Sequence, residues 1–386
     1  MARTFDKNKQ WDFANFYWEL AAEWHRRAKD QDAARESRIR GAESWVRKAE
    51  HNLTGGKLGA GFSAHWIGAA LETLRQACAR PERIEELHRR LRELQKLATN
   101  ELSPLQLSDS VVARYESEIQ KLAEAARAHV SGRAFDEALF KLAFIRQPVD
   151  PNDVIQCVEN ESSQTVFRNL FPSTAVSSTG LTAEAMPPRP LTEGSALNDW
   201  RMQNAFLHAR SFEWPTEVEA FIEPARQQFI KEHSAGLSAL SAIVYANPFV
   251  PQGREKIFAR GLAAGFNHDW LIATHLLIPQ LEAAVRSVFN GLGIITSNLE
   301  SDATQEERQL RWLLYHEQME KTFGAARAFN LRALLVERFG ANLRNDIAHG
   351  LLPERAFYTP AIVYFWWLVL QLCCMGHRIS LRDGPG

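Results

Sequence analysis

The sequence predicts an all-α protein with an N-terminal multi-helix domain and a C-terminal helical bundle. Three observations support this fold class. Apolar residues recur at three- and four-residue spacing, as Tyr17, Leu20 and Trp24 do, which places them on one helix face. No alternating run of β-branched residues is bounded by Asn-Gly or Asp-Gly, so strand and hairpin signals are almost absent. Apolar residues make up 45% of the chain and charged residues 24%, which is the composition of a folded globular protein.

The length of the chain, 386 residues, exceeds what one hydrophobic core usually holds, so two or three domains are expected. The composition changes near Pro172, and residues 172–196 are rich in Ser, Thr, Pro and Gly, which is typical of a linker. We therefore predict an N-terminal helical domain over 1–171, connecting helices over 197–252 and a C-terminal helical domain over 253–386.

Individual helices follow from the apolar period and its interruptions. A long amphipathic helix begins at Trp11, an exposed helix with ion pairs covers 25–50, and the glycines of 55–61 break the pattern. Further helices are predicted at about 62–80, 82–99, 106–130, 133–146, 197–212, 215–232, 253–265, 267–291, 305–318, 324–339, 342–350 and 357–376, with a loop around 297–304. The last helix is apolar nearly all round, which favours the middle of a bundle or a subunit interface.

The charge balance and the cysteines narrow the classes of function. With 45 Lys+Arg against 46 Asp+Glu, the chain lacks the excess of basic residues that bulk binding of nucleic acid needs, so any such contact is local. The four cysteines form no Cys-x-x-Cys pair, which excludes a disulfide framework or zinc site and favours a reducing compartment. The start of the chain has no apolar signal region, so a cytoplasmic protein is expected.

The longest apolar stretch runs from Ala361 to Met375. It is shorter than the roughly 20 residues that a membrane span needs. We therefore predict a buried core helix here and no membrane association.

The segment between Gly340 and Pro353 carries the clearest chemistry in the chain. Gly340 is a plausible end for the preceding helix, and Asn342 is a good N-cap for the next one. Gly350 then ends that helix, with Pro353 just beyond. The pattern predicts a short helix bracketed on both sides.

Three polar side chains of this short helix suit phosphodiester chemistry. Asn345 and His349 are four residues apart and share one helix face, and the long side chain of Arg344 can reach the same region. An imidazole can take up or supply a proton. A guanidinium can stabilise charge that develops on a phosphate, and an amide can hold the imidazole or the phosphate.

The pattern Arg344-Asn345-x-x-x-His349 resembles the Arg-x(4–6)-His motif of the HEPN superfamily, with a polar residue directly after the Arg. With Gly350 added, it resembles a bacterial family of uncharacterised HEPN-like C-terminal domains. The run Leu-Leu-Ile-Pro-Gln-Leu-Glu-Ala-Ala-Val-Arg, at 276–286, is similar to the first long helix of that family.

This resemblance covers roughly residues 255–376 and implies a metal-independent endoribonuclease that needs no cofactor. The His of such domains helps the ribose 2′-OH attack the adjacent phosphate, which leaves a cyclic phosphate end, while the Arg binds that phosphate. These roles would fall to His349 and Arg344, with Asn345 beside them. Two copies of the motif usually face each other, which implies a homodimer through the C-terminal domain with RNA as substrate. Asp346 departs from this picture, because a carboxylate near a phosphate is unhelpful unless it points away.

Glu282 and Arg286 lie four residues apart upstream of the motif. The spacing predicts either an ordinary ion pair on a helix surface or a polar contact that supports Arg344 or His349.

Two functions remain open. The first is a ribonuclease effector of the toxin or phage-defence type. The second is a non-catalytic HEPN-like module that binds RNA or protein, in which the Arg and His lock the bundle or a dimer interface. Under either function, residues 1–171 are expected to bind a partner or ligand, or to act as a sensor.

Overall fold

The computed structural model describes residues 1–55, 58–101, 108–165, 173–176, 182–299 and 304–382. In this part of the chain helices predominate, and the β-structure consists of two small two-stranded sheets. The prediction of an all-α protein is therefore confirmed.

The elements of the described residues are numbered here in chain order. The α-helices are α1 (Ala2–Lys7), α2 (Trp11–Arg27), α3 (Gln31–Gly55), α4 (Ala60–Gln76), α5 (Pro81–Glu101), α6 (Asp109–Val130), α7 (Phe135–Ala143), α8 (Pro151–Gln164), α9 (Ser195–His208), α10 (Trp214–Glu217), α11 (Glu223–Glu232), α12 (Leu237–Val244), α13 (Glu255–Phe266), α14 (Trp270–Gly291), α15 (Leu310–Tyr315), α16 (Gln318–Phe323), α17 (Ala325–Leu335), α18 (Leu343–Ala348) and α19 (Pro360–Arg382). The strands are β1 (Ser173–Val176), β2 (Thr182–Met186), β3 (Ser297–Leu299) and β4 (Gln305–Glu307), and a 3-10 helix covers Glu354–Tyr358.

The chain forms two compact units, one from Met1–Gln106 with Ser173–Ala185 and the other from Leu107–Pro172 with Met186–Gly386. These units differ from the predicted domains, since α6, α7 and α8 belong with the C-terminal part. The physical reason is burial: Leu139 of α7 lies in the same hydrophobic core as the C-terminal helices. The predicted linker also contains structure, because β1 and β2 pair with each other.

In the first unit, α2 to α5 pack against one another in chain order. Small and apolar side chains of α3, α4 and α5 form its core, and ion pairs connect α3 with α5. Arg83 lies 2.8 Å from Glu43, and Arg90 lies 2.9 Å from Glu50. The hydrogen bonds that the two guanidinium groups donate to these carboxylates raise the pKa of both arginines. The ion pairs expected of the charged segment 25–50 are present, and they join α3 to α5. The expectation that this segment is an exposed helix is wrong, because Ala42, Val46 and Ala49 of α3 lie in the core.

In the second unit, α19 lies at the centre of the core, as the apolar sequence predicts. Its polar ring atoms find backbone partners: Trp366 Nε1 donates to the carbonyl of Leu262 (3.1 Å), and Trp367 Nε1 donates to that of Leu142 (3.0 Å). Pro360–Ile379 is long and apolar enough to cross a membrane, but 78% of its most apolar window is buried inside the protein.

The helices α9, α10 and α11 are one continuous run, where the sequence analysis predicted two helices. The run contains two π turns, Ala209–Glu213 and Val218–Ile222. Each π turn ends two residues before a proline, Pro215 or Pro224. Because proline lacks an N–H and its ring clashes with the carbonyl four residues earlier, the wider turn lets the helix continue past it.

Other differences arise where local signals are weak. The predictions did not include α8 or α12. The helix predicted at about 305–318 is shorter, because residues 305–307 form β4 in an antiparallel pair with β3. The helix predicted over 267–291 is present as α14, and Pro279 lies inside it.

Candidate functional site

The short motif helix α18 ends as the sequence predicts. Gly350 has φ +63°, the left-handed conformation that favours glycine. The N–H of Leu351 bonds to the carbonyl of Asp346 (2.8 Å), and the N–H of Gly350 bonds to that of Ile347 (3.1 Å). This pair of bonds is a Schellman motif, which fixes His349 as the C-cap residue of the helix.

Gly340 plays a different part from the predicted one. The preceding helix, α17, already ends at Leu335. A Cβ atom at position 340 would lie 1.9 Å from the carbonyl oxygen of Ala333. That oxygen accepts a hydrogen bond from Ala341 N (2.8 Å), and the Gly340 carbonyl accepts one from Arg210 Nη1 (2.9 Å). The loop of residues 336–342 precedes α18 and is called the motif loop here. The glycine therefore allows the motif loop to lie directly on α17.

Asn342 occupies the N-cap position, but its side chain does not cap the helix backbone. Its φ is +49°, in the left-handed region that Asn tolerates better than most residues. The amide instead bonds to other side chains: Nδ2 donates to Asp346 Oδ1 (2.9 Å), and Oδ1 accepts from Asn345 Nδ2 (2.7 Å). The expectation of a side-chain N-cap is therefore wrong, because the same amide serves two side chains of α18.

This arrangement also places Asn345. The sequence analysis assigned its amide to the imidazole or to a phosphate, whereas its donor group is bonded to Asn342. Among the hydrogen bonds of the described residues, none joins the Asn345 side chain to that of His349. The direct contact between the two residues is the backbone hydrogen bond from His349 N to the carbonyl of Asn345 (3.0 Å).

Asp346 is half-buried and accepts a hydrogen bond from Asn342. Burial raises the pKa of this carboxyl group, while the Asn342 hydrogen bond and the charges of Arg210 and His349 act in the opposite direction. The Asp346 carboxylate, which is unhelpful near a phosphate, is thus bound by the Asn342 amide of the same protein.

Arg344 and His349 lie at the surface of the second unit. The side chain of Arg344 is 36% exposed, and His349 is exposed. The guanidinium Nε of Arg344 lies 3.8 Å from Glu282 Oε2, a long ion pair that leaves the group reachable from solvent.

Glu282 and Arg286 form the predicted pair, with 3.1 Å between Oε1 and Nη2. Both side chains are more than four-fifths buried, so the pair is not an ordinary surface pair. Arg286 also donates to the carbonyl of Arg308 (3.0 Å) and lies 2.9 Å from Glu307. Glu282 therefore lies between the arginine of the motif and an arginine that reaches the β3–β4 hairpin. Glu282 thus contacts Arg344, and the supporting role that the sequence left open stays a prediction.

Sequence reasoning missed Arg210, which approaches the motif from the first π turn. Its guanidinium bonds to Gly340, and its charge acts on Asp346. The proline at 215 gives a signal for the π turn, but no local pattern shows that Arg210 meets the motif loop.

In the described residues, no cluster of three His, Cys, Asp or Glu side chains could hold a metal ion. Comparison with protein-family models, with curated proteins and with solved structures gave no match.

Proposed function

We propose that this protein is a metal-independent endoribonuclease in which Arg344 binds the scissile phosphate and His349 handles the proton of the attacking 2′-OH. The observation that carries the proposal is the placement of α18. The helix is fixed at both ends, and it presents an exposed imidazole and a partly exposed guanidinium to solvent. Two solvent-accessible basic side chains on a backbone held at both ends suit phosphoryl transfer, which depends mainly on positioning and charge stabilisation.

In the proposed reaction, the 2′ oxygen forms a bond to phosphorus while the bond from phosphorus to the 5′ oxygen breaks. The proton of the 2′-OH passes to the neutral imidazole of His349. The 5′ oxygen takes up a proton from water or from the imidazolium of a second motif. Arg344 offsets the negative charge that develops on the phosphate oxygens. The products are a 2′,3′-cyclic phosphate and a 5′-hydroxyl end.

The proposal includes a homodimer in which two copies of α18 form one composite site. A second motif would supply the acid that the leaving 5′ oxygen needs, because one imidazole cannot be base and acid in the same step. The exposure of His349 leaves it accessible to such a partner.

The direct test is cleavage of an end-labelled single-stranded RNA by the purified protein in the presence of a chelator. We expect products with 2′,3′-cyclic phosphate ends, and loss of cleavage in His349→Ala and Arg344→Ala. His129→Ala and Arg260→Ala are matched controls, since both side chains are exposed in the same unit and lie outside the motif. Cleavage that requires added metal, or that survives in His349→Ala, would refute this mechanism.

One observation favours the non-catalytic alternative, an RNA-binding or protein-interaction module. Asn345 and Asp346 both bond to Asn342, so two of the polar residues of the motif already have partners inside the protein. On this alternative, the purified protein leaves RNA intact, and Arg344→Ala weakens RNA binding or self-association measured by analytical ultracentrifugation.

A further inference from the structure

A cavity of about 810 Å³ lies in the second unit, between α9, the β3–β4 hairpin and α15. Its walls include amide, carboxylate, guanidinium and aromatic side chains, among them Asp199, Gln203, Arg308, Arg311, Trp312 and Tyr315. The cavity is large enough for a small organic group and contains none of the motif residues.

Flat groups line one wall of this cavity. Arg308 lies over the ring of Trp312, with 4.3 Å between its guanidinium carbon and the ring centroid. Arg311 lies over Tyr315 at 5.1 Å. Arg311 and Tyr315 lie one turn apart on α15, and Arg308 comes just before that helix. Nucleobases stack on aromatic rings and on guanidinium planes.

One donor in this wall has no protein partner. The Nε atom of Arg308 is buried and makes no hydrogen bond within the described residues. A buried donor without a partner is costly, and a shift of the Arg308 side chain on binding would let this donor meet an acceptor atom on a ligand.

The charges of the cavity favour a neutral ring over a phosphate. Two of its carboxylates are neutralised, since Glu307 lies 2.9 Å from Arg286 and Glu337 lies 2.8 Å from Arg311. Among the described residues, Asp199 and Glu306 form no ion pair. Such carboxylates repel a phosphate, but they accept hydrogen bonds from the N–H groups at the edge of a base.

Two connections place the cavity beside the motif. Gln203 and Phe206 of α9 line the cavity, and Arg210, on the same side of the helical run, bonds to the motif loop. Arg286 makes the second connection, because it bonds both to Glu282 beside Arg344 and to the carbonyl of Arg308.

We propose that this cavity binds one unpaired base of the RNA, next to the phosphate that the motif cleaves. The proposal rests on the proposed nuclease function for its substrate, and it requires that this RNA be single-stranded at the bound base. A base can enter the cavity only when it is not paired, so the same sequence in a duplex would bind weakly.

The test uses His349→Ala protein, which would keep the RNA intact, and a nine-residue RNA with 2-aminopurine placed at each position in turn. This analogue loses fluorescence when it stacks. We expect quenching at one position on binding, lost in Trp312→Ala and restored in Trp312→Phe. We also expect about tenfold weaker binding in Arg311→Ala, in line with the ~1–3 kcal/mol that base stacking contributes. Arg311 is 58% exposed, so its variant serves if Trp312→Ala does not fold.

Equal quenching at every position, equal binding of the duplex, or unchanged binding in both Arg311→Ala and the Trp312 variants would overturn the cavity proposal. The outcome of the cavity proposal can be distinguished from that of the nuclease proposal. If wild-type protein cleaves RNA and the cavity variants cleave it equally well, the cavity proposal fails alone. If no RNA is cleaved while binding still depends on Arg311 and Trp312, the nuclease proposal fails and only the binding of a base in the cavity stands.

Discussion

Gly340 is the point at which the motif loop lies directly on α17, and Gly340→Ala tests that contact. The added Cβ would meet backbone, 1.9 Å from the carbonyl oxygen of Ala333. Backbone cannot turn aside as a side chain can, so the loop has to move. Overpacking of this kind costs about 1–3 kcal/mol. Movement would also strain the Ala341–Ala333 hydrogen bond, which contributes about 0.5–1.5 kcal/mol. We expect the free energy of unfolding to fall by about 2–4 kcal/mol.

The measurement is urea unfolding followed by tryptophan fluorescence, with Gly291→Ala as the matched control. Gly291 lies at the end of α14 in the same unit, and an added Cβ there meets nothing within 4 Å. The control should stay within about 0.5 kcal/mol of the wild type. A Gly340→Ala protein as stable as this control would show that the motif loop does not lie on α17 as described.

Three further predictions concern the second unit. Gly350→Ala should lower the unfolding free energy by about 1–2 kcal/mol because of its positive φ, and Gly350→Asn should lower it less; thermal unfolding checks both. Burial raises the pKa of Asp346, so the folded protein binds this proton more tightly, and wild-type stability should fall as pH rises through the raised value; Asp346→Asn should remove that fall in urea midpoints measured from pH 3 to 7. A hydrogen bond to Glu213 raises the pKa of His208, so its stabilising effect is complete below the ordinary value of about 6.5 and lost as pH rises through the folded value; His208→Gln should abolish this loss in midpoints measured from pH 6 to 9.

The fold class and most helices could be predicted from the sequence, because amphipathic spacing and glycine breaks are local signals. The buried position of α19 also followed from its composition. The grouping of helices into units did not, because Leu139 gives no local sign that it packs with residues far along the chain. The continuity of the run across Pro215 was missed because a proline normally ends a helix or begins one, whereas the helix predicted over 215–232 already included Pro224.

At the candidate site, the bracketing glycine at 350 was predictable, since a left-handed residue after a short helix is a local requirement. The partners of the polar side chains were not predictable. Whether Asn342 caps a backbone N–H or bonds to Asp346 depends on its φ of +49°, which the loop on α17 imposes. Arg210 reaches the motif only through tertiary packing.

The contacts of the motif bear on how two copies of it could meet. In the proposed dimer, two Arg344 guanidinium groups would face one another, and their repulsion would oppose association. Each has Glu282 at 3.8 Å, too long to hold the guanidinium tightly but close enough to offset part of its charge. Glu282 is also shared with Arg286, which limits its attraction to Arg344. A phosphate bound between two copies would therefore remove the remaining repulsion. On this reasoning we expect RNA to strengthen the proposed dimer, and Glu282→Gln to make that dimer more dependent on RNA.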